Sequence, residues 1–124
     1  MASSSTIDSS VLNRLQDLLG YIRSGRILDG INEFYAEDAV MQENNERPTV
    51  GRQANLERER QFMNTVKEWK RFDVTAYGVG DHVTFYETVM DWIATDGTPA
   101  HVEQVVVAKW RDGKIVHERF YHNP

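Results

Sequence analysis

Residues 69–122 read WKRFDVTAYGVGDHVTFYETVMDWIATDGTPAHVEQVVVAKWRDGKIVHERFYH. Apolar and polar residues alternate here with a period of two, the spacing of a strand rather than of a helix. Three turn signals punctuate the stretch: Gly78–Asp81, Asp96-Gly97 and Asp112-Gly113. They divide it into runs near 70–77, 82–95, 99–110 and 114–122. The runs are rich in Val, Phe, Tyr, Trp and Thr, which suit a pleated and half-buried surface. Four consecutive strands joined by tight turns predict an antiparallel meander.

Upstream of Trp69 the period is helical. Val11, Leu12, Leu15, Leu18, Leu19 and Ile22 predict an amphipathic helix over 9–23, stopped by Ser24-Gly25. Ile27, Leu28, Ile31, Phe34 and Tyr35 form the apolar face of a shorter second helix. Residues 39–42 (AVMQ) read as a short strand, 43–50 (ENNERPTV) as a loop, and Gly51 opens a third helix ending near Val66. Residues 1–8 are small and polar and read as a disordered tail. Residues 9–124 then form a single domain. Helices followed by a meander predict an α+β fold, with about three N-terminal helices packed on one side of a curved antiparallel sheet.

Composition removes several function classes. The 124 residues carry 14 Lys and Arg against 19 Asp and Glu, a net charge of −5. A nucleic-acid footprint needs the opposite sign. With no cysteine there is neither a disulfide framework nor a thiolate metal site. No apolar run reaches the roughly 20 residues of a membrane helix, and residues 1–10 lack the plan of a signal peptide. The expectation is a soluble, cytoplasmic protein.

The strands carry apolar residues on both faces. In 84–93, Phe85, Val89 and Ile93 oppose Tyr86, Met90 and Trp92; in 102–110, Val105 and Val107 oppose Val102, Val106, Ala108 and Trp110. Helices cover only one face of a sheet. A second copy of the chain on the outer face, a homodimer, is expected to cover the other.

The segments FYAEDAVMQE (34–43), the helix opening at Gly51, and KWRDGKIVHERFY (109–121) resemble the nuclear transport factor 2-like superfamily. Its SnoaL-like polyketide cyclases and ketosteroid isomerases share a cone-shaped, cystatin-like α+β fold. The resemblance covers nearly the whole chain from Val11. It is specific for the fold and weak for any one activity, since members include isomerases, cyclases, epoxide hydrolases and proteins that only bind. In the isomerase pattern the general base follows the short strand after YAxDA, and here that position is Glu43. The two oxyanion donors of that pattern fall on Leu19 and Val106, so both are missing. The aspartate–arginine–aspartate set of the epoxide hydrolases is not matched either.

Hairpin register sets which side chains face the cone. A two-residue turn at Asp96-Gly97 pairs Asp91 with Val102, Val89 with Gln104, and Glu87 with Val106. A three-residue turn at Arg111–Gly113 pairs Val106 with Glu118 and Gln104 with Phe120. Together they place Phe85, Glu87, Val89, Asp91, Val102, Gln104, Val106, Ala108, Glu118, Phe120 and His122 on the concave side. A slip by one residue instead brings in Tyr86, Thr88, Met90 and Trp92. The candidate proton carriers are Glu43, Asp91, Glu118 and His122. Glu87, Val89, Gln104, Val106, Phe120 and Leu19 would hold the substrate. Carboxylates gathered in a low-dielectric cone cannot all ionise, so one or two pKa values should be raised. That division of states is what general acid–base catalysis needs.

His117 and His122 point to opposite strand faces, and His82 lies in a turn, so no three-histidine metal site is expected. There is no glycine-rich phosphate loop and no Gly-x-Ser-x-Gly elbow, so no cofactor is expected. The run ERER at 57–60 reads as a solvated helix face. Two kinds of function stay open. One is an acid–base isomerase, cyclase or hydrolase acting on a small, largely apolar molecule. The other is a non-catalytic ligand-binding or dimeric scaffold protein.

Overall fold

The computed structural model describes residues 2–123, with side chains for residues 10–123. Three helices, α1 (Ala2–Arg23), α2 (Ile27–Phe34) and α3 (Arg52–Met63), accompany six strands. These are β1 (Tyr35–Glu43), β2 (Thr49–Val50), β3 (Val66–Val79), β4 (Val83–Ala94), β5 (Pro99–Arg111) and β6 (Lys114–His122). The sheet order is β2-β1-β6-β5-β4-β3. β3 to β6 form the expected antiparallel meander. β1 joins the far side parallel to β6, so the sheet is mixed and open rather than wholly antiparallel. Helix α1 starts at Ala2 and so continues through the polar stretch that sequence pattern leaves as a tail.

The helices lie against the concave side. Leu15, Leu18 and Leu19 of α1, Ile31 and Phe34 of α2, and Leu56 of α3 join Val106, Ala108, Trp110 and Ile115 of the sheet in one buried cluster. α1 and α2 approach closely at Gly30, where a Cβ would stand 3.1 Å from Leu18 Cδ1. Asn55, buried on α3, donates through Nδ2 to the carbonyls of Gly51, Thr49 and Ala39 at 2.9, 3.1 and 3.3 Å. That one amide ties α3 to β1 and β2. Three bulges along the 14-residue β3 bend it around the helices. Among the described residues no helix is long and apolar enough to cross a membrane.

Both hairpin registers differ from expectation, with opposite consequences. Asp96 Oδ1 accepts from the Thr98 amide at 2.9 Å, and Gly97 adopts φ 88°. This closes a three-residue loop, Thr95 to Gly97, between Ala94 and Thr98, in place of two residues. One extra loop residue reverses the parity of β4: Asp91 pairs with His101, Thr88 with Gln104 and Tyr86 with Val106. Thr84, Tyr86 and Thr88 are buried inward, and Phe85 and Glu87 face out. At the other hairpin, Asp112 (φ 54°) and Gly113 (φ 77°) make a two-residue turn with both residues left-handed. A bulge between Lys109 and Trp110 follows. The two departures sum to a shift of two residues, which preserves the face. Ala108 pairs with Glu118 and Val106 with Phe120, so Glu118, Phe120 and His122 point inward as expected.

Candidate active site

Four elements converge inside the cone. β6 contributes Glu118, Phe120 and His122, and parallel β1 sets Met41 beside Glu118 and Glu43 beside Phe120. β4 contributes Tyr86, α3 contributes Glu59, and Tyr35 stands at the junction of α2 and β1.

Glu118 is 1% exposed and Tyr35 3%. The Tyr35 hydroxyl donates to Glu118 Oε1. The other carboxyl oxygen, Oε2, has no hydrogen-bond partner among the described residues. Burial pushes the Glu118 pKa to about 8, and the charges of Glu59 and Glu43 push the same way. The Tyr35 hydrogen bond opposes this, because it favours the ionised form. Glu118 therefore holds a proton at neutral pH. Burial, with the nearby charge of Glu118, raises the phenols of Tyr35 and Tyr86 well above their ordinary range, so both remain donors. Glu59, half-buried on α3, is also raised, chiefly by burial; Arg58 opposes and Glu43 adds.

Glu43 has different company. Its Oε1 lies 3.1 Å from His122 Nε2, and its Oε2 lies 3.7 Å from Arg58. His122 Nδ1 donates to the Asn123 carbonyl at 2.9 Å. With Nδ1 committed to a carbonyl and Nε2 facing a carboxylate, both ring nitrogens are best satisfied as N–H. The His122 pKa accordingly rises, first through the Asn123 bond and then through Glu43, against partial burial.

The structure thus brings together Glu43, Glu118 and His122 from the residues expected as proton carriers. Asp91 does not join them. The reversed β4 parity places it on the outer face, 2.5 Å from His101 Nδ1 and 3.8 Å from Arg71. Glu87 also faces outward, accepting from the Thr75 hydroxyl at 2.6 Å, and Val89 lies on the same outer face. Val106 and Leu19 are buried in the core, Phe120 packs against it, and Gln104 stands opposite His122. Tyr35 and Glu59 are not among the residues expected in the site, and Tyr86 enters only through the one-residue slip. Tyr35 looked like the end of the α2 apolar stripe, and Tyr86 carried the rejected parity. Glu59 was lost in the ERER run, although it follows buried Leu56 by three residues and so shares its helix face.

Two solvent-open grooves lie beside this cluster, and the second reaches its Tyr35. One of about 420 Å³ runs past Arg14, Tyr21 and Phe34, and one of about 700 Å³ is bounded by Tyr35, Arg52 and Arg111.

Residues 18–118 match the family described as SnoaL-like domain. The chain belongs to that family. SnoaL-like folds in solved structures superpose over most of its length. A candidate SnoaL-like polyketide cyclase from Mesorhizobium loti is 20% identical with a TM-score of 0.76, covering 90% of this chain and 97% of its own. An NTF2-like protein of unknown function from Burkholderia pseudomallei is 13% identical with a TM-score of 0.80, covering 92% and 91%. TerC, co-crystallised with polyporic acid, is 13% identical with a TM-score of 0.78, covering 92% of each chain. At these identities the likeness shows the fold alone. No curated protein matches the sequence.

Proposed function

We propose that this SnoaL-like domain binds a small, largely apolar molecule in its cone and moves protons on it. The observation that carries the reading is Glu118, which is buried, neutral at pH 7, bonded to Tyr35 on one oxygen and without a partner among the described residues on the other. A neutral carboxylic acid in an apolar site can donate to a carbonyl oxygen and stabilise the enolate formed from it. Tyr86 is a second phenol beside it. These groups supply donors from β6 and β4, where the isomerase pattern would have placed them at Leu19 and Val106. The Glu43–His122 pair supplies the complementary function. Glu43, 3.1 Å from the His122 imidazole, is placed to accept a proton from carbon, with His122 beside it to balance charge.

The test uses two probes, 2-tetralone and polyporic acid, the latter because TerC was co-crystallised with it. Saturable binding is read from tryptophan fluorescence. Proton abstraction is read by NMR as deuterium uptake at the tetralone α-carbon. Both binding and accelerated uptake are expected. Glu43→Gln should lower uptake by about 10²-fold or more while leaving binding within a few-fold. Glu118→Gln should weaken both. Binding without uptake would leave a non-catalytic binding protein. Neither binding nor uptake would overturn the proposal.

A further inference from the structure

The strand end that carries Glu43 is fastened to β6 by an unusual turn. β1 leaves its parallel ladder with β6 at Asn44, whose amide still donates to the Phe120 carbonyl at 2.8 Å. A continuing parallel ladder would next have the Asn44 carbonyl accept from the His122 amide. Instead Asn44 turns left-handed, at φ 48°, a conformation that asparagine tolerates better than most residues. Its side-chain Oδ1 takes the carbonyl's place and accepts from the His122 amide at 3.0 Å. The freed carbonyl accepts from Arg119 Nε at 2.8 Å, and a second nitrogen of the same guanidinium donates to the Asn45 side-chain oxygen. Arg119 stands on the outer face of β6, between inward Glu118 and Phe120, with its guanidinium 4.9 Å from the centre of the Tyr121 ring. The turn is closed by the Glu46 amide, which donates to the Glu43 carbonyl at 2.9 Å, and by Gln42 Nε2, which donates to the Glu46 carbonyl at 3.0 Å.

We infer that Asn44 and Arg119 are positioning residues for the Glu43–His122 pair, gripping the end of β1 against β6 from the outer side of the sheet. The inference rests on the proposed proton transfer, in which neither residue touches a reacting atom. Each bond fixes backbone beside Glu43 or at His122, so the 3.1 Å approach of Oε1 to Nε2 depends on the turn as well as on the Glu43 side chain. Glu43 of β1 and Glu46 of the turn are the charged groups that face His122, and Arg58 of α3 faces Glu43. A base displaced by about 1 Å loses much of its rate while the substrate still binds.

NMR titration of the His122 ring, with circular dichroism to check folding, tests the placement without substrate. Asn44→Gly keeps the left-handed backbone and removes the acceptor, and Arg119→Met keeps the stem and removes both donors. Each should lower the His122 midpoint from its raised value toward 6.5, because Glu43 no longer stands at hydrogen-bond distance. Asn44→Asp restores an acceptor and should not lower it. Deuterium uptake into 2-tetralone at saturation should fall about tenfold or more in Asn44→Gly and Arg119→Met, with KM within about threefold. Thr84→Val, which costs stability elsewhere in the sheet, should leave the His122 midpoint unchanged. An unmoved midpoint in Asn44→Gly or in Arg119→Met would overturn that residue's role, and an equal fall in Thr84→Val would overturn both. A wild type that takes up no deuterium would overturn the proposed proton transfer instead, and the titration keeps the two failures apart.

Discussion

Tyr35 donates its hydroxyl to Glu118 among the buried residues of the cone, joining the α2–β1 junction to the inward face of β6. Neither residue is accessible enough for water to replace the other. The pair therefore sets the protonation of the site. Burial raises Glu118, and the phenol partly restrains the rise.

Stability should depend on pH through Glu118. In the unfolded chain it ionises near 4.5, and in the fold near about 8. Between those values the unfolded state has lost a proton that the native state keeps, so unfolding becomes easier as pH rises. The stability contributed by the neutral acid is full below about pH 4.5. It falls on the order of 1 kcal/mol per pH unit through the window and is gone above about pH 8. Urea unfolding at pH 4 to 9 should show this slope in the wild type and a flatter profile in Glu118→Gln. Equal slopes in both would assign the dependence to other groups.

Tyr35→Phe removes only the donor. Glu118 should then titrate at higher pH, because the bond that favoured its ionised form is gone. NMR titration of the Glu118 carboxyl measures the shift, and a midpoint that falls or stays put would refute it. The buried carboxyl also loses its partner, so a loss of about 1–2 kcal/mol is expected at pH 6.

Asn55→Ala should cost about 1–2 kcal/mol in denaturant unfolding, since it removes the amide bonds to three carbonyls, of which Ala39 and Gly51 keep the backbone donors Gly51 and Asn55. Hydrogen exchange should quicken first at β2 and the opening of α3. A loss below half a kcal/mol would show that water takes over the amide's role.

Trp110 Nε1 donates to the Thr84 hydroxyl at 2.9 Å, with both residues buried. Thr84→Val keeps the shape and leaves the indole N–H alone, so a loss of about 1–3 kcal/mol is expected. Thr84→Ser keeps the oxygen and should cost less than Thr84→Val. The reverse order in thermal melts would mean that methyl packing, not the hydrogen bond, dominates there.

The residue pattern alone determined the order of the three helices and the four meander strands, because periods of 3.6 and 2.0 are local properties of the chain, but it left β2 (Thr49–Val50) inside a loop. It also determined that Glu118, Phe120 and His122 face inward. An error of two in the last hairpin leaves a strand's faces unchanged. Glu43, the last residue of β1, was legible only through the resemblance to the isomerase pattern. Tertiary structure decided the parity of β4, and with it the exchange of Asp91, Glu87 and Val89 for Tyr86. A loop one residue longer turns every β4 side chain over. Phe85, Val89 and Ile93 are as apolar as Tyr86, Met90 and Trp92, so no contrast between the faces could arbitrate. Tertiary structure also decided the chemistry of Glu118. A carboxyl's proton affinity depends on what surrounds it, and Tyr35, 83 positions away in sequence, becomes its neighbour only when the sheet closes over the helices.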